Sequence, residues 1–321
     1  MKNSADNMLQ YLIILLDATS TSFCHYNNNQ KEHSLISIDI LKQGIRFGMK
    51  ENLMIQFVYP NYIIPDELKK EIKTIDHYKI VPSSIADDEA DVIVVDDWNF
   101  AQAKKLHKPT TFRVSKDEFF VRYMDIIPLL KEVPTLNVVF LDIDRFDEED
   151  FELYKKVLKN LSAIIETIYI EEGQSPQINI LTDRMVLKEM NNCGAGDTAI
   201  TLAPNGKFYI CPAFYYDDSN DSVGDIKQGL RIRNKQLYKL EYSPICRRCD
   251  TWQCKRCIWL NKKTTLEVNT PSHEQCVVAH LERNASKELL ANIRKKCTFL
   301  PEQEEISEID YLDPFEKIKL W

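Results

Sequence analysis

The run Cys246-Arg-Arg-Cys249-Asp-Thr-Trp-Gln-Cys254-Lys-Arg-Cys257 places four thiols in one short stretch. Paired cysteines two residues apart can face one metal centre across a tight turn, and soft thiolates select iron–sulfur clusters or zinc. Downstream stands Cys276; upstream stand Cys193 and Cys211. The residues from Thr198 through Pro204-Asn-Gly206 to Cys211 read as a strand, a turn and a returning strand. Such a hairpin brings Cys193 and Cys211 into one neighbourhood. Seven of the nine cysteines therefore lie between residues 193 and 276. One tetrahedral zinc would use Cys246, Cys249, Cys254 and Cys257. Yet only four residues separate the two pairs, where zinc ribbons place roughly fifteen to twenty. Zinc also leaves Cys193, Cys211 and Cys276 unexplained. Two 4Fe-4S cubanes use all seven and leave one ligand position over. Arg247, Arg248, Lys255 and Arg256 suit an anionic cluster, or form a solvated face.

The rest of the chain sets the context. Its 321 residues suffice for two domains. The apolar run 11–16 is too short to span a bilayer or to serve as a secretory core, and no basic segment leads into it. The expected compartment is the cytoplasm, where thiols stay reduced and cysteine clusters point to metal. A net charge of -8 gives no global argument for nucleic acid, and neither a nucleic-acid partner nor membrane association is expected. Acidic residues gather in the tail (Glu302, Glu304, Glu305, Glu308, Asp310, Asp313), ahead of a more apolar stretch over 315–321.

Over the first 185 residues, short apolar strands alternate with amphipathic helices. Strands are expected over 11–16, 53–59, 78–81, 91–95, 110–114, 136–141 and 178–181. Helices are expected over 36–49, 66–75, 116–130 and 148–168. The acids Asp147-Glu148-Glu149-Asp150 suit the first turn of the last of these. This alternation predicts an α/β fold with a parallel sheet, either doubly wound or a partial barrel. Near Lys188 the pattern changes to Gly, Asp, Asn and Cys. The expected division is a barrel over 1–187, a cysteine-rich domain over 188–284, and a C-terminal helix with acidic tail over 285–321.

The cysteine order, a hairpin pair followed by a block of four and a last one, resembles the SPASM domain of radical SAM peptide-modifying enzymes. The family's block spaces its cysteines by two, five and three residues, and this chain by two, four and two. Carried over by position, the resemblance implies a first auxiliary 4Fe-4S cluster on Cys193, Cys211 and Cys257. A second would use Cys246, Cys249, Cys254 and Cys276. The fourth position of the first cluster would be open, or filled by a carboxylate such as Asp197. Along its whole length the chain resembles the CXXX repeat peptide maturase family, through Ser22-Phe-Cys24-His-Tyr26, Gln56-Phe-Val-Tyr-Pro60 and Cys249-Asp-Thr-Trp-Gln-Cys-Lys-Arg-Cys-Ile-Trp-Leu-Asn261. That resemblance implies a partial (βα) barrel of radical SAM type and a cysteine-repeat precursor peptide as partner.

The resemblance also exposes an absence. A radical SAM enzyme carries three cysteines in the loop after its first strand, and the loop from Asp17 to Asn27 holds only Cys24. Asp17 and Thr21, or Ser20 and Asn27, occupy the other two places. Cys24 is then a buried small apolar group, a reactive or substrate-linked thiol, or an unusual ligand. The glycine turn that receives the cofactor's methionine part is replaced by Tyr59-Pro-Asn-Tyr62. S-adenosylmethionine binding is not expected. The sequence thus predicts an iron–sulfur protein of peptide maturation, acting with a catalytic partner. Its peptide would bind by β-augmentation on a free sheet edge, and an open iron would suit a peptide thiolate. The alternatives are an active radical SAM enzyme with an unconventional first site, and a zinc-stabilised interaction module.

Overall fold

The computed structural model describes residues 9–85 and 87–306. In chain order come β1 (Tyr11–Leu15), α1 (Ile38–Lys50), β2 (Met54–Val58), α2 (Asp66–Ile72), β3 (His77–Pro82) and β4 (Val92–Val95). Next are α3 (Ala101–Leu106), β5 (Thr110–Val114), α4 (Lys116–Arg122), α5 (Ile127–Leu130), β6 (Leu136–Phe140), α6 (Glu148–Thr167) and α7 (Asp183–Val186). The cysteine-rich part adds β7 (Ala199–Leu202), β8 (Phe208–Tyr209), α8 (Pro212–Asp217), β9 (Gly224–Asp225), β10 (Gly229–Leu230), α9 (Ile258–Thr265) and α10 (His273–Lys296). The expectations over 307–321 lie outside the described residues.

The main sheet runs β6-β5-β4-β3-β2-β1-β7-β8, parallel throughout except for the β7–β8 hairpin. Strands one to six lie side by side in sequence order, so over these six the chain never reverses its direction of travel across the sheet. Right-handed crossovers of one sense keep the helices on one face, which selects the partial barrel over the doubly wound alternative. β1 shows the two faces. Leu12 and Ile14 lie against α1, whose Gly48 and Gly44 permit the close approach, while Ile13 points to the opposite, concave face. A Cβ on Gly44 would sit 2.5 Å from Leu202 Cδ2 of β7. The hairpin after residue 188 is therefore built into the same sheet as the barrel.

Several expectations shift. The stretch 178–181 is a turn rather than a strand; its backbone pairs with β6 as an isolated bridge at Ile178, and the Asn179 side chain bonds to Val138. The expected 116–130 helix breaks into α4, a 3-10 turn and α5, with Pro128 at the start of the last. α3 was not anticipated. The first-turn acids of α6 do form a cap: Asp147 and Asp150 exchange side-chain-to-backbone bonds at 3.0 Å. α10 begins at His273, capped by Ser272, so Cys276 sits in its first turn.

Candidate metal centre

The loop after β1 folds back on itself and across the strand ends. Ser20 Oγ donates to the Val58 carbonyl (2.8 Å), and Asn28 Nδ2 donates to the Ala18 and Ser20 carbonyls (both 2.9 Å). Arg113, the one charge in the otherwise uncharged and buried strand β5, reaches into the loop. Its Nε donates to the Cys24 carbonyl (3.0 Å), and its Nη2 to the Tyr26 carbonyl (2.6 Å) and Asn27 Oδ1 (2.9 Å). Its Nη1 pairs with Asp96 at 2.6 Å. His25 Nδ1–H donates to the Phe140 carbonyl (2.8 Å), which fixes the tautomer; burial holds its pKa below the usual value.

These restraints turn the loop two ways. Thr19–Ser22 and Asn27–Lys31, with Ser83, Asp96 and Arg113, line a polar cavity of about 640 Å³ at the strand ends. Phe23, Cys24, His25 and Tyr26 instead line a second, mostly apolar cavity of about 450 Å³ on the concave side of the sheet. The backbone where a cofactor-binding glycine turn would stand is already engaged, since Tyr59 donates to the Ile80 carbonyl (3.0 Å) and accepts from Thr21 (2.9 Å).

The opposite wall of the second cavity comes from the cysteine-rich part. The β7–β8 hairpin turns at Pro204-Asn205-Gly206, with Gly206 at φ 76°. Cys211 caps α8 and Cys257 caps α9. Cys193 N–H donates to the Lys255 carbonyl (3.2 Å), tying its segment to the block. Cys193, Cys211 and Cys257 thus line one cavity, and Cys24 lines it with them. Asp197, the carboxylate considered as a fourth ligand, does not; its Oδ1 is buried with no hydrogen-bond partner among the described residues.

Cys246, Cys249, Cys254 and Cys276 meet separately, around a cavity of only about 20 Å³. A 3-10 turn at Cys246–Arg248 places the first pair, with Cys249 N–H bonded to the Cys246 carbonyl (3.1 Å). Cys254 lines both cavities.

Electrostatics separate the thiols. Burial pushes the Cys24 thiol up to about 12. It also raises Cys211 and Cys257, with neighbouring cysteines adding to the rise. The backbone N–H groups of Ala213 and Phe214, and of Trp259 and Leu260, pull those two back. For Cys249 burial works upward too, but hydrogen bonds from His280 and Thr251 outweigh it and the net shift is downward. Of the four cations, Arg247 and Arg248 are exposed and belong to the solvated face. Arg256 is 4% exposed, lines both cavities, and has Nε and Nη1 without partners among the described residues. A buried, under-satisfied guanidinium between two thiol groups is costly unless an anion occupies the space. Together with thiol donors and helix-start amides, it fits anionic iron–sulfur clusters.

Sequence reasoning left the roles of Arg113, His25 and Glu282 unread. Arg113 had a signal: one cation in an otherwise buried strand. Glu282, which lines the 450 Å³ cavity and accepts from Tyr154 Oη at 2.9 Å, had none; burial raises its carboxyl to about 8.

No protein-family profile matches this sequence, and no curated protein matches it. Among solved structures, the chain is similar to a tagged anSMEcpe with bound AdoMet, with a TM-score of 0.61. The likeness covers 90% of this chain and 96% of that one, at 13% identity. The fold defined by the sheet and its cysteine-rich extension is thus the radical SAM type with a SPASM-like C-terminal part. The particular relative is an anaerobic sulfatase-maturating enzyme; at this identity the likeness concerns the fold alone. No helix among the described residues is long and apolar enough to cross a membrane.

Proposed function

We propose that this chain is an iron–sulfur protein of a peptide-maturation system. It holds two 4Fe-4S clusters, receives a cysteine-repeat precursor peptide, and leaves radical generation to a catalytic partner. The observation that carries the reading is the spatial split of the seven cysteines. Cys193, Cys211 and Cys257 face the barrel cavity, while Cys246, Cys249, Cys254 and Cys276 form a second group behind it, with buried Arg256 touching both. When bound, such clusters supply one-electron transfer. The chain's own residues supply the thiolates, the amides that temper their charge, and an apolar wall that limits water.

The expected peptide route needs correction. The outer edge of β6 is taken at Leu136 by Gln177 and Asn179, at Val138 by the Asn179 side chain, and at the Phe140 carbonyl by His25. The outer edge of β8 is likewise covered, by Val223 and Ile226. With both edges occupied, β-augmentation has little backbone left to pair with. The polar cavity at the strand ends, rich in Asn, Ser and Thr, is the better recess for a peptide segment.

Two other readings have an observation each. The 20 Å³ of the second group is room for about one water-sized occupant, which favours a single zinc there. The fold is shared with a protein that has AdoMet bound, which favours an active enzyme. Incubation of the reconstituted protein with dithionite and S-adenosylmethionine tests the last point: no 5′-deoxyadenosine is expected, and multiple turnovers would establish the enzyme reading instead. Metal analysis tests the other, since zinc in the second site would leave about four irons with about one zinc per chain.

A further inference from the structure

We propose that Cys24 is the fourth protein ligand of the first cluster, joining Cys193, Cys211 and Cys257 across the cavity between the barrel loop and the cysteine-rich part. The inference rests on the cluster reading above and fills the position that the sequence left open.

Five thiols line this cavity of about 450 Å³; Cys254 also lines the smaller one and feels the charges of Cys246, Cys249 and Cys276, while the other four come from four separate segments. Cys24 comes from the loop after β1, Cys193 from the segment before β7, Cys211 from the start of α8 and Cys257 from the start of α9. Each lies close enough to another to perturb its charge: Cys24 and Cys193, Cys257 with both of these, and Cys211 with Cys257 and Cys193. The loop does not arrive there loosely. Arg113 grips the backbone on both sides of His25, and His25 is bonded to the end of β6, so the Cys24 segment faces the cavity while its neighbours face the polar recess.

As placed, these thiols stand too far apart to share one metal ion. A single tetrahedral zinc with bonds of about 2.3 Å holds its sulfurs about 3.8 Å apart. Among the described residues, the group of three or more such ligand atoms lying within 4.8 Å of one another is Cys249, Asp250 and His280. No three of Cys24, Cys193, Cys211 and Cys257 meet that limit. Thiolates that each bind a different iron stand farther apart than thiolates sharing one metal. Other donors in the cavity are weaker candidates. His25 donates Nδ1–H to Phe140 and keeps Nε2 open, and Glu282 accepts from Tyr154 with its carboxyl raised to about 8 by burial, but soft iron favours sulfur over either. Each thiol gives up its proton on binding, and buried Arg256 offsets part of the resulting negative charge.

Two consequences follow from full ligation. The first cluster has no open iron for a peptide thiolate, so its role is electron transfer or structure. The barrel loop is also clamped to the cysteine-rich part by metal, across a sequence separation of 169 positions between Cys24 and Cys193 (193 − 24).

The test compares the unchanged chain with Cys24→Val and Cys24→Ser after anaerobic reconstitution, reading iron, acid-labile sulfide and EPR spectra. The unchanged chain is expected to hold about eight irons; if it holds none, the cluster reading fails whatever Cys24 does. Valine fills the space of a buried thiol that acts as a small apolar group, so a packing role would leave iron and spectra unchanged. Ligation gives the opposite result. Cys24→Val is expected to fall to about half the iron, or to show a 3Fe-4S signal when oxidised. A folded Cys24→Val chain with full iron and an unchanged spectrum overturns the inference. Should that variant fail to fold by circular dichroism, Cys24→Ser decides: an altered spectrum or lost iron supports ligation, and an unchanged spectrum refutes it.

Discussion

Arg256 is where charge, burial and metal meet on one side chain. Its Nη2 donates to the Tyr238 carbonyl, while Nε and Nη1 stay unpartnered among the described residues. Arg256→Met removes a buried cation that costs stability when the sites are empty. The metal-free variant is expected to match or exceed the parent in urea denaturation, while the loaded variant sheds iron faster to a chelator. Slower iron loss than the parent would remove Arg256 from the account. Glu282 gives a pH signature. Its folded pKa of about 8 stands above its ordinary value of 4.5, so between those values the folded chain binds more protons than the unfolded one. Stability is then highest below about pH 4.5 as far as this group is concerned, and is lost as pH rises through 8. Glu282→Gln is expected to flatten that part of a stability–pH profile; an unchanged slope would show that the carboxyl is ionised in the fold.

At the scale of elements, β1 to β6 were legible because parallel strands buried on both faces read as apolar runs. Their observed ends differ from expectation by one residue at most. The miss at 178–181 has a physical cause: Asn179 serves β6 with its side-chain amide instead of its backbone, which no hydrophobic pattern can announce. The cysteine block was legible from spacing, and the hairpin from its Pro-Asn-Gly turn. The neighbourhood of Cys24 was not, because its partners lie far along the chain and only the Arg113 clamp turns it toward them. The seam between α1 and β7 can be tested through Gly44. A Cβ there sits 2.5 Å from Leu202 and 3.3 Å from Ile14, so Gly44→Val is expected to cost about 1–3 kcal/mol in urea denaturation. An unchanged midpoint would mean that β7 does not pack on α1 as described.

For the whole molecule, barrel and cysteine-rich part share one sheet and one cavity, so metal binding and folding should be coupled. Anaerobic chelation of iron is expected to lower the thermal midpoint and to loosen the loop from Asp17 to Asn28, visible as faster amide exchange there. Protection of that loop unchanged by chelation would disconnect it from the metal. Cys297, exposed at the end of α10, is outside both groups, and Cys297→Ala is expected to keep all its iron. The most direct test of the central claim is iron and acid-labile sulfide per chain in anaerobically prepared protein. The account expects about eight of each; about one zinc per chain with no acid-labile sulfide would contradict it.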